Sequence, residues 1–494
     1  MKLKVKDMDI ATGGPLVVVL NAKDASKLDL HPLDRVKIRK GNNVQTALVD
    51  VGESKKAAPH GKIGVFEEVL DSLNAADGDI LEIIPARKPL SLEYIKKKLD
   101  GQDLSKQEID QIVWDIVHNK LDDIELTYFV SACYSHELST KETTMLTKAM
   151  AKYGDKLKLN RGMVMDKHCV GGVCGNRTTM VIVPIIASAG LAIPKTSSRS
   201  ITSPAGTADT MEVLANVSVP INKMKRIVER TNGCIVWGGS LNLAPADDKI
   251  IRVERPLWID AKSQLLASVM AKKSSVSATH LLVDIPFGEE AKLSSKRKAM
   301  MLRDDFKKLA RSLGIKTKVI LTDGSQPIGD GIGPALEARD VLWILKNNSR
   351  GPSDLRKKSL MMAGIMLEMA GRKNGYKLAK EILESGKAYR KMVEIIKAQG
   401  AKITEPDEIK IGRFEYSCKS TKQGAVAKIL NRPVSKLARI AGAPVDQGAG
   451  IYLHKHVGDK VRKGEKILTI YAESKIKLNY AIQAFKNMDG IKVK

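Results

Sequence analysis

With 494 residues, 43% of them hydrophobic, the chain exceeds what one core organises, so about three domains of ~150 residues each are expected. Lys+Arg 82 against Asp+Glu 56 gives a formal net charge of +26, which attracts polyanions and small phosphorylated ligands alike; aromatic residues are only 4%, too few to build stacking platforms for single-stranded nucleic acid. Five cysteines without a Cys-x-x-Cys pair argue for a reducing cytoplasm and against a disulfide framework, and the absence of any uncharged apolar run of ~18 residues leaves no membrane span or signal segment.

Residues 1–85 contain short β-rich pieces, at 15–20, 36–39 and 80–84, between Gly-Asn and Asp-Gly turns. That pattern predicts a small N-terminal β-barrel. From 86 to 155 the pattern turns helical: Ser105-x-x-Glu108 and Ser139-x-x-Glu142 are capping boxes, and Ile109, Ile112, Val113, Ile116 and Val117 line one face. This α domain is expected to receive a return segment near 218–238, and its Lys96-Lys97-Lys98 run is read as a solvated helix face. Residues 156–405 alternate apolar strand candidates, at Val164, 234–237, 281–284 and 319–321, with helical patterns, as a large α/β domain with a mostly parallel sheet requires. In such domains ligands sit at the carboxyl ends of the strands. Gly329-Asp330-Gly331-Ile332-Gly333 lacks the glycine spacing of a dinucleotide fingerprint, and residues 406–494 are β-rich again.

Two polar runs stand out in the α/β segment: Asp166 to Gly172, and Ser197 to Asp209. Between them Thr178 to Ala187 is too apolar all round to face water and is followed by Gly190, which predicts a buried helix holding both runs as loops on one rigid element. Gly171 and Gly172 allow the backbone to approach a ligand closely, Lys167 and Arg199 supply charge, and Ser197, Ser200, Thr202, Ser203 and Thr207 supply hydroxyl donors. Phosphate is the natural guest. One such loop alone is more often a turn or cap; two flanking a buried helix are harder to explain that way. His168, Cys169 and Cys174 lack a fourth ligand and any standard spacing, so no metal and no cofactor is expected.

The order Asp166-Lys167-His168, Gly171-Gly172, buried helix, Ser197-Ser198-Arg199, then Gly206-Thr207-Ala208-Asp209 resembles the pyrimidine nucleoside phosphorylase family, and within it the archaeal branch, over the whole chain. The resemblance implies a cleft between an α and an α/β domain, where inorganic phosphate attacks the C1′ carbon of a nucleoside or nucleotide. It implies that Lys167, Ser197 and Thr207 hold inorganic phosphate; His168 beside them either orients the sugar or only supports the loop. Cys169 replaces the serine usual in the pyrimidine enzymes and loses a strong donor. Thymidine-type enzymes have Gly-Arg-Gly-Leu-Gly-His where this chain has Ser198-Arg199-Ser200-Ile201-Thr202-Ser203, so the arginine is shared and the row of hydroxyls is new. That row suits a second phosphate, the 5′-phosphate of a nucleotide, and the resemblance implies that it binds the nucleotide together with Gly172, Thr207, Ser268 and Lys292. Lys272 keeps its counterpart, whereas the arginine that holds a pyrimidine ring falls on Val253, with Arg252 one residue out of register.

The same resemblance implies that the N-terminal extension serves assembly of a homo-oligomer and that the last segment forms a hammerhead-like sheet. It also assigns proton donation to Asp260, in Pro256-Leu257-Trp258-Ile259-Asp260, where an apolar approach including Trp258 would raise a carboxyl pKa. The competing reading of Asp260 is a helix N-cap. The expected activity is phosphorolysis of nucleoside 5′-monophosphates, AMP and phosphate giving adenine and ribose 1,5-bisphosphate in the cytoplasm. A pyrimidine nucleoside (thymidine or uridine) phosphorylase and, outside the class, a basic nucleic-acid-binding protein are the alternatives; nucleic acid and membrane are not expected partners.

Overall fold

The computed structural model of the chain describes all residues except Gly14, Pro15, Lys55, Ile201, Thr202, Trp258 and Asp260, and the side chain of Arg255. The chain divides into two units, Met1–Tyr153 with Ala244–Ser268, and Gly154–Leu243 with Val269–Lys494.

The first unit begins with a closed six-stranded barrel. Its ring runs Lys2–Asp7, Lys62–Val65, Val17–Asn21, Asn43–Gly52, Arg35–Lys40, Ile80–Ala86 and back to the start. Alternation along each strand turns Leu3, Val5, Val36, Ile38, Leu81 and Ile83 inward, which is the period-two pattern a filled small barrel needs. Helices Ser91–Leu99, Lys106–Val117, Asp123–Ser135 and Thr140–Lys152 follow, and both expected capping boxes are formed, at Ser105/Glu108 and Ser139/Glu142. The lysine run at 96–98 is not simply a solvated face. Lys98 is 2% exposed and its Nζ lies 3.0 Å from Glu142 Oε1, so the same glutamate closes a capping box and neutralises a buried ammonium. A helix face one turn wide admits such inward lysines wherever a carboxylate meets them.

The return segment also differs from expectation. Ile221–Thr231 and Gly233–Trp237 belong to the second unit, where Gly233–Trp237 pairs in parallel with Ile193–Ser197. The segment that returns to the first unit is 244–268, whose helix Pro245–Leu257 sends Lys249 Nζ to the carbonyls of Ile116 (2.9 Å) and Val117 (2.7 Å). A cation there satisfies the orphan carbonyls that end helix Lys106–Val117.

In the second unit the strands Lys316–Asp323, His280–Phe287 and Met165–Cys169 form one parallel sheet, and Ile193–Ser197 and Gly233–Trp237 form another. A parallel bridge between Val164 and Ala192 joins the two. The helix Thr178–Ser188 is buried from Thr178 to Ala187, as its lack of a polar face requires, and Gly190 follows at φ +80°. The chain closes with two antiparallel sheets, one of Gly331–Ile332, Gly450–Leu453, Lys466–Ala472 and Phe414–Lys419, the other of Lys460–Val461, Gly424–Ile429 and Ile491–Val493. Among the described residues no helix is long and apolar enough to cross a membrane.

Candidate active site

The second polar run leaves the carboxyl end of strand Ile193–Ser197, whereas the first only ends past the carboxyl end of its strand. Asp166, Lys167 and His168 are not in a loop, as their polarity suggested, but inside the strand Met165–Cys169, and the turn begins only at Val170. Hydrogen bonding to the apolar strand at 280–287 explains this: Lys167 is in register with Leu282, His168 with Val283 and Cys169 with Asp284. Gly171 and Gly172 then turn at φ +94° and +89°. A Cβ on Gly172 would stand 2.3 Å from the backbone nitrogen of Lys292, so the turn packs main chain against main chain and brings two of the expected ligand residues together.

Lys167 is 1% exposed, and its ammonium donates to the hydroxyls of Thr178 (3.0 Å) and Thr179 (3.4 Å) at the start of the buried helix. On the same face the buried Asp284 accepts from Thr322 at 2.6 Å, lies 3.3 Å from Lys358 Nζ and takes the weak Cys169 thiol at 3.5 Å. Burial alone would raise the Asp284 carboxyl, but Lys358, Lys167 and the Thr322 hydroxyl outweigh it and hold it below the usual range. On the other face burial, followed by the ammonium groups of Lys273, Lys195, Lys167 and Lys292, drives His168 well below the ordinary histidine range. Its imidazole is therefore neutral at pH 7, a hydrogen-bonding group and not a cation.

The second run is a loop tied shut by one carboxylate. Asp209 Oδ2 accepts from the backbone N–H of Ser200 (2.7 Å) and of Gly206 (2.8 Å), and the Ser198 carbonyl accepts from Ala208 N–H at 3.4 Å. The ends meet so closely that a Cβ on Gly206 would stand 2.6 Å from the Ser198 carbonyl oxygen. Arg199 spans the outside of this loop, with a fork onto Glu212 at 2.5 and 2.7 Å, a bond to Asp209 at 3.3 Å and its guanidinium 4.8 Å over the Trp237 ring. Much of its charge is thereby matched within the protein. Ser200 donates to the Ser203 carbonyl and Ser203 to the Ala205 carbonyl at 3.0 Å, so their hydroxyl oxygens retain lone pairs and their hydrogens hold the loop's shape. Ser197 ends its strand and Thr207 opens helix Thr207–Leu214; both are half-buried. Beneath the loop Arg177 donates to Glu337, to Thr210 (3.1 Å) and to the Ala205 carbonyl, a buried tie between the loop and helix Pro334–Leu345.

Other expected site residues lie apart from these loops in the chain. Ser268 and Lys272 are half-buried on helix Lys262–Ser275, in which the division between the two units falls. Ile201, Thr202 and Asp260 lie outside the described residues, as does Trp258. Sequence reasoning missed Lys195, Lys273, Asp284, Lys358, Glu212 and the closing role of Asp209. The available signal was a charge standing in an apolar strand, at Lys195 after Ile193-Pro194 and at Asp284 within Leu281-Leu282-Val283-Asp284-Ile285, which demands a buried partner without naming it.

Residues 92–154 match the helical bundle domain of the glycosyl transferase family, 161–389 its a/b domain, and 425–492 the pyrimidine nucleoside phosphorylase C-terminal domain. The chain is 46% identical to the AMP phosphorylase of Pyrococcus furiosus, across 100% of its own length and 98% of the relative's. The chain belongs to the AMP phosphorylase family. AMP phosphorylase 1 of Archaeoglobus fulgidus is also 46% identical, over 95% of this chain and 93% of its own. Anthranilate phosphoribosyltransferase from Thermus thermophilus shares the fold, at a TM-score of 0.53 and 18% identity over 62% of this chain and 98% of that one. This member of the AMP phosphorylase family thus builds its helical and α/β parts on a fold that a phosphoribosyltransferase also uses, and sets a barrel before them.

Proposed function

We propose that the protein catalyses phosphorolysis of nucleoside 5′-monophosphates, AMP above all. A phosphate oxygen bonds to C1′, the bond from C1′ to the base nitrogen breaks with its electron pair going to the base, and the departing base takes a proton from Asp260; the products are adenine and ribose 1,5-bisphosphate. Lys167, Ser197 and Thr207 are assigned to inorganic phosphate. Ser198, Arg199, Ser200, Ile201, Thr202 and Ser203 are assigned to the nucleotide with Gly172, Thr207, Ser268, Lys272 and Lys292. His168, neutral, is assigned to the ribose as a hydrogen-bonding partner. Holding phosphate in line with C1′ replaces a bimolecular collision by an intramolecular step, so positioning carries most of the rate and the acid supplies the rest.

The observation that carries this reading is the hydroxyl-bearing loop tied by Asp209 at a strand's carboxyl end, in a chain of this family. It carries hydroxyl side chains where the thymidine-type sequence has glycines, and on binding an anion the Ser200 and Ser203 hydroxyls would turn from the carbonyls they now bond and donate to it. The match of 425–492 to a pyrimidine nucleoside phosphorylase domain favours a second reading, a pyrimidine nucleoside phosphorylase. Against it, Val253 at the base-holding position is 6% exposed and apolar, and Arg252 beside it is paired with Asp123 at 2.5 Å. Free base released from AMP, adenosine, thymidine and uridine, with and without phosphate, separates the two readings. Faster release from AMP, and only with phosphate, supports the first; steep salt-dependent binding to nucleic acid without turnover would abandon both.

Reverting Ser200 and Thr202 to glycine is expected to lower kcat/KM for AMP by about 10- to 150-fold, the equivalent of one lost charge-assisted contact, with a much smaller change for adenosine. Equal losses on both substrates would remove the 5′-phosphate from this loop.

The barrel is assigned to assembly of a homo-oligomer in the cytoplasm. Deletion of residues 1–84 is expected to change the particle mass in light scattering while turnover persists. The deletion also removes Arg35, which is 6% exposed and pairs with Glu125 and Asp122 at the start of helix Asp123–Ser135, so a lower melting temperature is expected as well. An unchanged particle mass would argue against the assignment.

A further inference from the structure

The strand Met165–Cys169 lies between two buried carboxylates, each set among lysines. On the face of His168, Asp166 is fully buried, with Lys273 Nζ 2.8 Å from Oδ2 and Lys195 Nζ 3.8 Å from Oδ1. On the face of Lys167, Asp284 is fully buried with Lys358 Nζ 3.3 Å away. Lys167, Lys195 and Lys273 are 1%, 6% and 3% exposed. Four ammonium groups against two carboxylates leave an excess of two positive charges in the protein interior. Such an excess is costly where the dielectric is low, and it is relieved either by an anion or by loss of a proton.

The members of this cluster also adjoin residues assigned to phosphate, ribose and nucleotide along the chain. Asp166 precedes Lys167 and alternates with His168, Lys195 stands two residues before Ser197 on its strand, and Lys273 follows Lys272 on its helix. Lys195 has the weaker hold on the shared carboxylate, since Lys273 is 1.0 Å closer to it by the two distances above. Facing Lys195 are Asp166 and His168 from one neighbouring strand, whose Lys167 acts on it by charge from the opposite face, Lys273 from the helix, and Cys234 from the other neighbouring strand. Burial holds the Cys234 thiol high and His168 is neutral, so only Asp166 offers Lys195 a negative charge, and Lys273 shares it.

We propose that the Lys195–Asp166–Lys273 cluster is a positioning and charge-compensating element of the anion site, through which binding of a phosphate dianion draws one proton onto Lys195. The proposal rests on the reading of the neighbouring loops as a phosphate site. Burial first, then the Lys273 ammonium, brings Lys195 down to about 7, so with the site empty above pH 8 it is largely neutral. A dianion nearby raises it again. The favourable charge is therefore fully present below the empty-site value, where binding needs no proton; above that value each anion bound takes up a proton and affinity falls about tenfold per pH unit.

The test is calorimetric binding of inorganic phosphate to the full-length protein at about pH 8, where free phosphate is already a dianion, in buffers of different ionisation enthalpy. Dissociation constants are then followed up to about pH 9 for wild type, Lys195→Arg and Lys195→Met. Wild type is expected to take up close to one proton and to lose about tenfold in affinity per pH unit. Lys195→Arg, permanently charged, should bind without uptake and with a flat profile; Lys195→Met should bind about tenfold more weakly, also without uptake. Uptake near zero in wild type, or a wild-type slope retained in Lys195→Arg, overturns the proposal, since the proton would then sit elsewhere. Wild type that binds no phosphate would overturn the proposed function along with it, whereas phosphate-dependent adenine release without proton uptake would overturn this inference alone.

Discussion

Replacing Asp260 with asparagine is expected to slow AMP phosphorolysis by about 10²–10⁴, the usual contribution of a general acid, with almost no change in thermal stability. Adenine is a poor leaving group as an anion, and asparagine keeps the size and polarity of the side chain while removing the proton. The competing role for this residue is a helix cap. The first bond of helix Lys262–Ser275 runs from Leu265 N–H to the Ala261 carbonyl at 3.0 Å, which gives the N-cap position to Ala261. Asparagine caps as well as aspartate does, so a role in helix initiation would leave the rate of Asp260→Asn unaltered. A ribosyl phosphate whose departing group needs no proton sharpens the contrast, because the variant should cleave it at nearly the native rate. Full phosphorolysis of AMP by Asp260→Asn would end the assignment.

The second large effect is expected at Asp209. Its carboxylate is 6% exposed and is the acceptor for two backbone N–H groups, those of Ser200 and Gly206, besides the Arg199 guanidinium. Alanine there leaves two amides without their acceptor, each costing about 1–3 kcal/mol if it stays out of water. The loop escapes that cost by opening, and the hydroxyls of Ser198, Ser200 and Ser203 are then no longer pre-positioned. For Asp209→Ala we expect kcat/KM with AMP to fall by about 10²-fold or more, and with adenosine by much less, since only AMP carries the 5′-phosphate. Asp209→Asn, with one acceptor oxygen left, should fall between. Loss of activity in parallel on both substrates, tracking a drop in melting temperature, would mean that Asp209 supports only the fold.

The buried helix could be read from ten consecutive residues, Thr178 to Ala187, because a helix with no polar stripe has only the interior to occupy. The barrel was legible for a different reason, since turn residues at short intervals punctuate alternating strands. What the chain does not display is which distant charges meet. Lys195 and Asp166 are 29 residues apart, Lys273 and Asp166 107 apart, and nothing local distinguishes their pairing from any other. Placement of the return segment failed on the same ground: Ile221–Thr231 and Pro245–Leu257 are both amphipathic helices, and an amphipathic pattern reveals that a face is covered without revealing by what. The strand assignment of Asp166 to His168 needed knowledge of its apolar neighbour at 280–287, whose hydrogen bonds override the polarity of the residues themselves.

A ring of strands has no ends. Because Lys2–Asp7 closes the barrel between Lys62–Val65 and Ile80–Ala86, every strand of the ring has a partner on both sides, and association of this domain by strand addition is foreclosed. Contact with another copy would have to go through outward side chains such as Ile80 and Ile84, at 65% and 40% exposure. The same closure makes a small truncation worse than a large one. Cutting away only the first seven residues would bare the edges at 62–65 and 80–86 and turn a sealed barrel into an open, adhesive sheet.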